Sequence, residues 1–385
     1  MIYLDNAATS WPKPPSVYET LGSFLQTLGA NPGRAGHRMA AGAAAAVADC
    51  RLRLARLMNA ESPDHVVFAS NATDALNLAI RGLLRPGDQV ITSSMEHNSL
   101  ARPLRSVAEQ GVQVTKVLCS PQGVIDHDVV AAAASPRLRL IAVTHASNVN
   151  GAIQPIEDLA EIAHHHKALL LVDGAQTLGA MPMDVQSMGI DLLAFPGHKS
   201  LLGPPGTGGL YVGPQVDLAT FTPQRSGGTG VRSEDDAQPL ELPYRYESGT
   251  SNTVGIAGLA AGVRFLEEHS VQSIHQRESS LTRRLIAGLE GIEGVRVCNP
   301  PAGAPQAAVV SCVVDGWSPA DVGSVLDQSF DIACRTGLHC APDACRTIGA
   351  FPEGTVRLSP GCFTTEDEID AAIAAVAEIA STPSA

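Results

Sequence analysis

The chain has 385 residues, room for two compact domains at about 100–200 residues each. Apolar residues make up 44% and charged residues 17%, a balance that excludes intrinsic disorder. With Lys plus Arg at 26 against Asp plus Glu at 39, a formal charge of −13 repels phosphate backbones and anionic lipid, so neither nucleic acid nor a membrane is an expected partner.

Runs rich in β-forming residues at 65–69, 89–92, 112–118, 138–144, 168–173, 190–195 and 208–212 alternate with helical patterns at 73–84, 99–110 and 156–165. That alternation predicts an α/β unit on a seven-stranded, mostly parallel sheet. LRLIAVT and ALLLVD are apolar throughout, as strands covered on both faces require. Asn71 is placed to cap the first of these helices and Pro155 to open the third, while His164, His165 and His166 suit its negative end. Residues 203–252 are rich in Gly and Pro, carry the run Ser233-Glu234-Asp235-Asp236, and read as functional loops. Beyond them come helices at 253–269 and 272–289, strands near 295–297 and 308–314, and an amphipathic helix at 365–379. The alanine tracts at 43–46 and 131–134 look like helix filler. The expected division is a large domain over 15–252 and a smaller α+β domain over 253–385 that includes 1–14.

No window reaches the length of a spanning helix, and MIYLDNAATSWP lacks the basic-then-apolar profile of a secretion signal, so a cytoplasmic location is expected. The eight cysteines are scattered and sparse, as in a chain whose thiols stay reduced.

Two stretches carry chemistry. LLLVDGAQ at 169–176 ends a buried strand on Asp173, and FPGHK at 195–199 puts Lys199 just past the next one. A buried aspartate near a lysine at strand ends is what pyridoxal phosphate needs: an amine to capture its aldehyde and a carboxylate to keep its ring nitrogen protonated. Ser70-Asn71-Ala72-Thr73 joins a strand to a helix and can offer amides to a phosphate. Nucleotide readings fail, because no GxGxxG follows a strand and Gly197-His198-Lys199-Ser200 lacks the P-loop spacing. The second stretch is Arg335-Thr336-Gly337-Leu338-His339-Cys340-Ala341-Pro342, where a thiol flanked by arginine and histidine sits in positive surroundings suited to a nucleophile. Cys334, His339, Cys340 and Cys345 also supply four potential metal ligands, though without CxxC spacing, so a zinc-stabilised, non-catalytic binding protein is the outside alternative.

In order along the chain, LDNAATS (4–10), SNATDALN (70–77), MEHNS (95–99), SNVNG (147–151), VDGAQ (172–176), GHK (197–199), ESGTSNT (247–253) and RTGLHCAP (335–342) resemble the cysteine desulfurase family of class V, fold-type I pyridoxal-phosphate enzymes, nearly end to end. The cysteine motif narrows the resemblance to desulfurases and their selenocysteine lyase relatives, and its compact loop resembles the SufS-type branch. The resemblance implies Lys199 as the Schiff-base lysine, Asp173 as partner of the ring nitrogen, Gln176 as donor to the phenolic oxygen and His97 stacked on the ring. It puts the Ala72 amide, Thr73 and His198 on the phosphate, joined by Thr250 from a second subunit of a homodimer. Asn148, Arg335 and Arg357 would contact the substrate, L-cysteine or L-selenocysteine, with Arg357 on its carboxylate; Cys340 would attack the sulfur and pass it to an acceptor. A selenocysteine lyase or a cysteine or cystine C–S lyase of the same fold is the nearer alternative. Three positions depart from the family's pattern: Pro196 replaces a Ser or Thr, Asn71-Ala72 a Gly-Thr pair, and Leu338 a histidine common in the branch.

Overall fold

A computed structural model describes residues 1–32 and 36–382. The chain opens with β1 (Ile2–Tyr3), α1 (Pro15–Thr27) and α2 (Arg38–Leu57). An alternating series follows: β2 (Val66–Ala69), α3 (Ala72–Leu83), β3 (Gln89–Ser93), α4 (Asn98–Ala108), β4 (Gln113–Val117), α5 (His127–Ala133), β5 (Leu138–Thr144), α6 (Ile156–His165), β6 (Leu169–Asp173), β7 (Leu192–Pro196) and β8 (Gly208–Val212). After an irregular stretch at 213–252 come α7 (Thr253–His269), α8 (Val271–Glu290), β9 (Val295–Val297), β10 (Val310–Val314), α9 (Pro319–Phe330), β11 (Ile332–Ala333), β12 (Arg335–Gly337), α10 (Pro342–Thr347), β13 (Thr355–Leu358) and α11 (Glu366–Ser381).

Strands β2 to β8 form one seven-stranded sheet in the order β2-β8-β7-β6-β5-β3-β4. β8 alone runs antiparallel to its neighbours β2 and β7, and every other pairing is parallel, so the mostly parallel sheet is present. The two-residue period of a strand sends alternate side chains to opposite cores. Leu170, Val172 and Leu193 join Leu54, Leu159 and Leu259 on one face, while Leu169, Leu171 and Leu192 meet Leu76, Ile80 and Leu100 on the other. Both faces are covered, which is why the strands read as unbroken apolar runs. Each such leucine contributes about 1.5–3 kcal/mol of burial.

Four antiparallel strands, in the order β12-β13-β10-β9, make a second sheet. Leu281, Leu285, Leu326, Ile369 and Val376 from α8, α9 and α11 cover it. β1 pairs in parallel with β11, and Leu4 is buried in this same core. The capping box predicted by no sequence pattern above starts α11: Thr365 accepts from the Glu368 amide and Glu368 from the Thr365 amide.

Several elements escaped the reading of the sequence. α2 appeared only as an alanine tract, yet its Ala43 face meets Phe24 and Ala257, where small side chains let α1 and α7 approach closely. The strands β1, β11, β12 and β13 are too short to display a period. Among the described residues no helix is long and apolar enough to cross a membrane, and all eight cysteines are free thiols.

Candidate active site

The parallel strands bring their carboxyl ends to one edge, the edge at which open α/β sheets take ligands. β2 runs into Ser70 and Asn71, β3 towards His97, β5 towards Asn148, β6 into Asp173 and Gln176, and β7 towards His198 and Lys199. Asp173 is 2% exposed. Burial raises its carboxyl above the usual range, while the Lys199 charge, the Ala175 amide at 3.0 Å and the Ser99 hydroxyl at 3.5 Å act in the opposite direction. Lys199 is the mirror case: burial lowers its ammonium to about 8, opposed by Asp173 and assisted by Arg357 and Arg335. The uncharged, nucleophilic form is thus more available near neutral pH than in a free lysine.

His97 caps the start of α4, its Nδ1 accepting the Ser99 amide at 3.0 Å. A nitrogen that accepts carries no hydrogen, so the neutral ring holds its hydrogen on Nε2. Burial first, then the Lys199 charge, lowers this imidazole to about 4. Gln176 donates through Nε2 to the Ala7 carbonyl at 3.1 Å.

At the start of α3 the Asn71 side chain accepts the Asp74 amide at 2.9 Å, as its sequence position predicts. The Ala72 and Thr73 amides face no carbonyl of their own helix and remain available to an anion. Gly208 in β8 lies directly under this turn, where a Cβ would come within 2.9 Å of the Asn71 backbone. Across the site the His198 carbonyl accepts from the Ser10 amide at 3.1 Å, the Thr9 hydroxyl at 3.0 Å and the Lys13 ammonium at 2.7 Å, and the Ser10 hydroxyl donates to the Lys199 carbonyl at 2.8 Å. Residues 9–13 thus strap down the backbone that carries Lys199.

The second sheet contributes the other wall. Arg335 and Arg357 stand directly opposite each other in the β12–β13 register. Arg335 donates to Cys340 Sγ at 3.3 Å, and Cys340 is exposed. Arg357 is fully buried; its Nη2 donates to Asp5 at 2.7 Å and its Nη1 to the Asn148 carbonyl at 3.0 Å, while Nε has no partner. The Asn148 amide donates to the His339 carbonyl at 2.7 Å, and the Asn98 amide to the Cys340 carbonyl at 2.7 Å. Asn148 therefore joins the arginine to the cysteine loop.

Thr250 stands apart from these groups. It is exposed and lines a surface cleft with Ser70, Thr207, Arg225 and Asn252. Its loop is rigidly based, because Glu247 pairs with Arg51 through two bonds of 2.7 and 2.8 Å and accepts the Phe68 amide at 2.6 Å. Among the described residues no group of three or more Cys, His, Asp and Glu side chains could hold a metal, so Cys334, His339, Cys340 and Cys345 do not gather as ligands.

Asp5, Ser99 and Lys13 touch these groups and were given no task by the sequence, while His339, read as a positive neighbour of the thiol, is held neutral by burial, so Arg335 alone of the two supplies the charge. Asp5 and Ser99 lie inside LDNAATS and MEHNS, so the signal was on hand. Nothing in spacing links residue 5 to residue 357 or residue 13 to residue 198.

The aminotransferase class-V family model matches residues 2–372. The chain is 34% identical over 96% of its length to "Probable cysteine desulfurase" of Methanothermobacter thermautotrophicus, covering 92% of that protein. It is 35% identical over 96% of its length to a protein of the same name from Synechocystis, covering 89% of it. Among solved structures, it resembles the apo cysteine desulfurase of Thermococcus onnurineus, with a TM-score of 0.92 and 33% identity over 98% of this chain and 94% of that one. A cysteine desulfurase of Escherichia coli in an S-sulfonic acid form gives a TM-score of 0.88 at 29% identity, with the same coverage of 98% and 94%.

Proposed function

Because the chain belongs to the aminotransferase class-V family, we propose that it is a pyridoxal-phosphate-dependent cysteine desulfurase, which converts L-cysteine to L-alanine and takes the sulfur onto Cys340 as a persulfide. The observation that carries this reading is the convergence on one edge of Lys199, Asp173 and an exposed Cys340. The residues present fit the cofactor. Lys199 is half-buried, its ammonium lowered by desolvation and acted on by the charges of Asp173, Arg357 and Arg335. Asp173 is a buried carboxyl that a ring N–H⁺ would ionise, the α3 start has two amides free for phosphate, and Arg357 keeps a buried N–H without an acceptor.

When bound, pyridoxal phosphate supplies an aldehyde for amines and a ring that accepts the electron pair left at the substrate Cα. The chain's own residues do the rest. Asp173 would hold the proton on the ring nitrogen, His97 would lie on the ring as a neutral imidazole, and Gln176 would donate to the phenolic oxygen. The Ala72 amide, Thr73 and His198 would hold the phosphate. Arg357 would bind the substrate carboxylate, with Asn148 and Arg335 beside it, and Lys199 Nζ would take the Cα proton. Cys340 Sγ would then attack the substrate sulfur as the Cβ–S bond breaks with its electrons on carbon, and a proton delivered to Cβ together with return of the Cα proton from Lys199 Nζ would complete alanine. Incubation with L-cysteine tests this: alanine and protein-bound persulfide should appear together, one for one in the first turnover. Sulfide release with no bound persulfide would refute the desulfurase reading.

Within the family we read the chain as SufS-type, since only residues 338–341 separate β12 from α10. We also read it as cytoplasmic, in keeping with eight free thiols. The division into 15–252 and 253–385 with 1–14 is supported by the two sheets and by the β1–β11 pairing, although α7 lies on α1 and α2. The same reading makes the protein a homodimer in which the Glu247-anchored loop carries Thr250 into the partner's phosphate site. Thr250→Ala should then weaken cofactor affinity about tenfold, the loss of one hydrogen bond to a charged group, measured by titrating pyridoxal phosphate into cofactor-free protein. Equal affinity in variant and wild type would remove Thr250 from the site.

A further inference from the structure

His339 adjoins the nucleophile, and the mechanism above leaves it idle. Its side chain is 2% exposed, and Nε2 lies 2.8 Å from Thr355 Oγ1. The Thr355 hydroxyl donates to Ser311 Oγ at 2.9 Å, and the Ser311 hydroxyl donates to the Val149 carbonyl. A carbonyl can only accept, so the direction of the chain is fixed from that end. Ser311 spends its one proton on Val149 and Thr355 spends its own on Ser311, which leaves Thr355 Oγ1 to accept from His339. The ring therefore carries its hydrogen on Nε2, and Nδ1, a bare lone pair, is buried without a partner.

The backbone beside this ring is strained. His339 and Cys340 have φ of 51° and 58°, two left-handed residues in succession. Each is strained for a residue with a Cβ and persists only where its surroundings hold it. Four grips do so: the Asn148 amide on the His339 carbonyl, the Asn98 amide on the Cys340 carbonyl, Arg335 on the sulfur, and the Thr355–Ser311–Val149 relay on the ring. Leu338, on the other side, offers no polar group and packs with the Ala341–Cys345 cluster.

Building on the reading of Cys340 as nucleophile, we propose that His339 is a positioning residue, a neutral Nε2–H imidazole whose relay to Val149 holds Cys340 in its left-handed conformation with the sulfur against Arg335. Burial first, then the charges of Arg357 and Arg335, lowers the ring to about 3, so it stays neutral across the working pH range and is no base for the thiol.

The test is the single-turnover rate of persulfide formation on the holoenzyme with L-cysteine, with its pH profile. His339→Ala should slow that step about 10–100-fold, as a misplaced nucleophile does, with the half-saturating L-cysteine concentration moving less than about threefold. His339→Gln restores an N–H towards Thr355 and should recover most of the loss, and neither variant should change the shape of the pH profile. Thr355→Val cuts the relay beyond the loop and should reproduce the alanine effect, which also serves if His339→Ala does not fold. Wild-type rates in His339→Ala, or in Thr355→Val where the former does not fold, overturn the proposal. So does an ionisation present in the wild-type profile and lost in His339→Gln, because the ring would then be a base. A wild-type protein that makes no persulfide at all would instead remove the assignment of Cys340 on which the proposal rests.

Discussion

Lys199→Ala should yield a protein without the visible colour of lysine-linked cofactor and with turnover reduced at least about 1,000-fold, since both the covalent link and the Cα base are removed together. The residual phosphate and ring contacts would still admit cofactor, held loosely and lost on dialysis. A second measurement uses the titration of this amine. Only the uncharged amine attacks an aldehyde, and burial holds Lys199 near pH 8. Colour should therefore develop faster as cofactor-free wild-type protein is moved up in pH through about 8, and slow in the acid direction as Nζ gains its proton. A wild-type protein that stays colourless after reconstitution at any pH would end the reading of this edge as a pyridoxal-phosphate site.

Cys340→Ala separates the two halves of the chemistry. On the proposed reading, binding L-cysteine and removing the Cα proton depend on Lys199, Asp173 and Arg357, all of which the substitution leaves in place. The variant should keep its colour and show the spectral change on addition of L-cysteine, yet form no persulfide and release alanine at least about 100-fold more slowly. Replacement of Cys345, which is buried, or of Cys334, which is half-buried, should leave turnover within about twofold. Should Cys340→Ala release sulfide or selenide as fast as the wild type, the protein is a lyase that does not need the thiol.

The elements legible in the sequence are those whose burial imposes a period. The seven strands of the large sheet and helices α3, α4 and α6 all declared themselves, because a strand covered on both faces must be apolar and a covering helix must be amphipathic. Asp173 and Lys199 were legible for the same reason, being the polar residues that interrupt or follow such runs. The cysteine loop was legible by composition. What stayed hidden was built from contacts between distant segments: Asp5 on Arg357, Lys13 on the His198 carbonyl, and the hydroxyl relay behind His339. The first pairs charges 352 positions apart, and in the others backbone carbonyls and single hydroxyls serve as partners, so none leaves a mark in local spacing.

The pairing of β1 with β11 and of Asp5 with Arg357 also governs when the enzyme can exist during its own synthesis. Asp5 and Arg357 are 352 positions apart. The large sheet is complete in sequence by Val212 and can collapse while the ribosome is still translating the remainder. Residues 2–5 pair with residues made only when 332–359 have been translated. Contacts of such high sequence separation form late, so on the proposed reading a half-made chain carries Lys199 and Asp173 but neither Arg357 nor Cys340, and releases no sulfur.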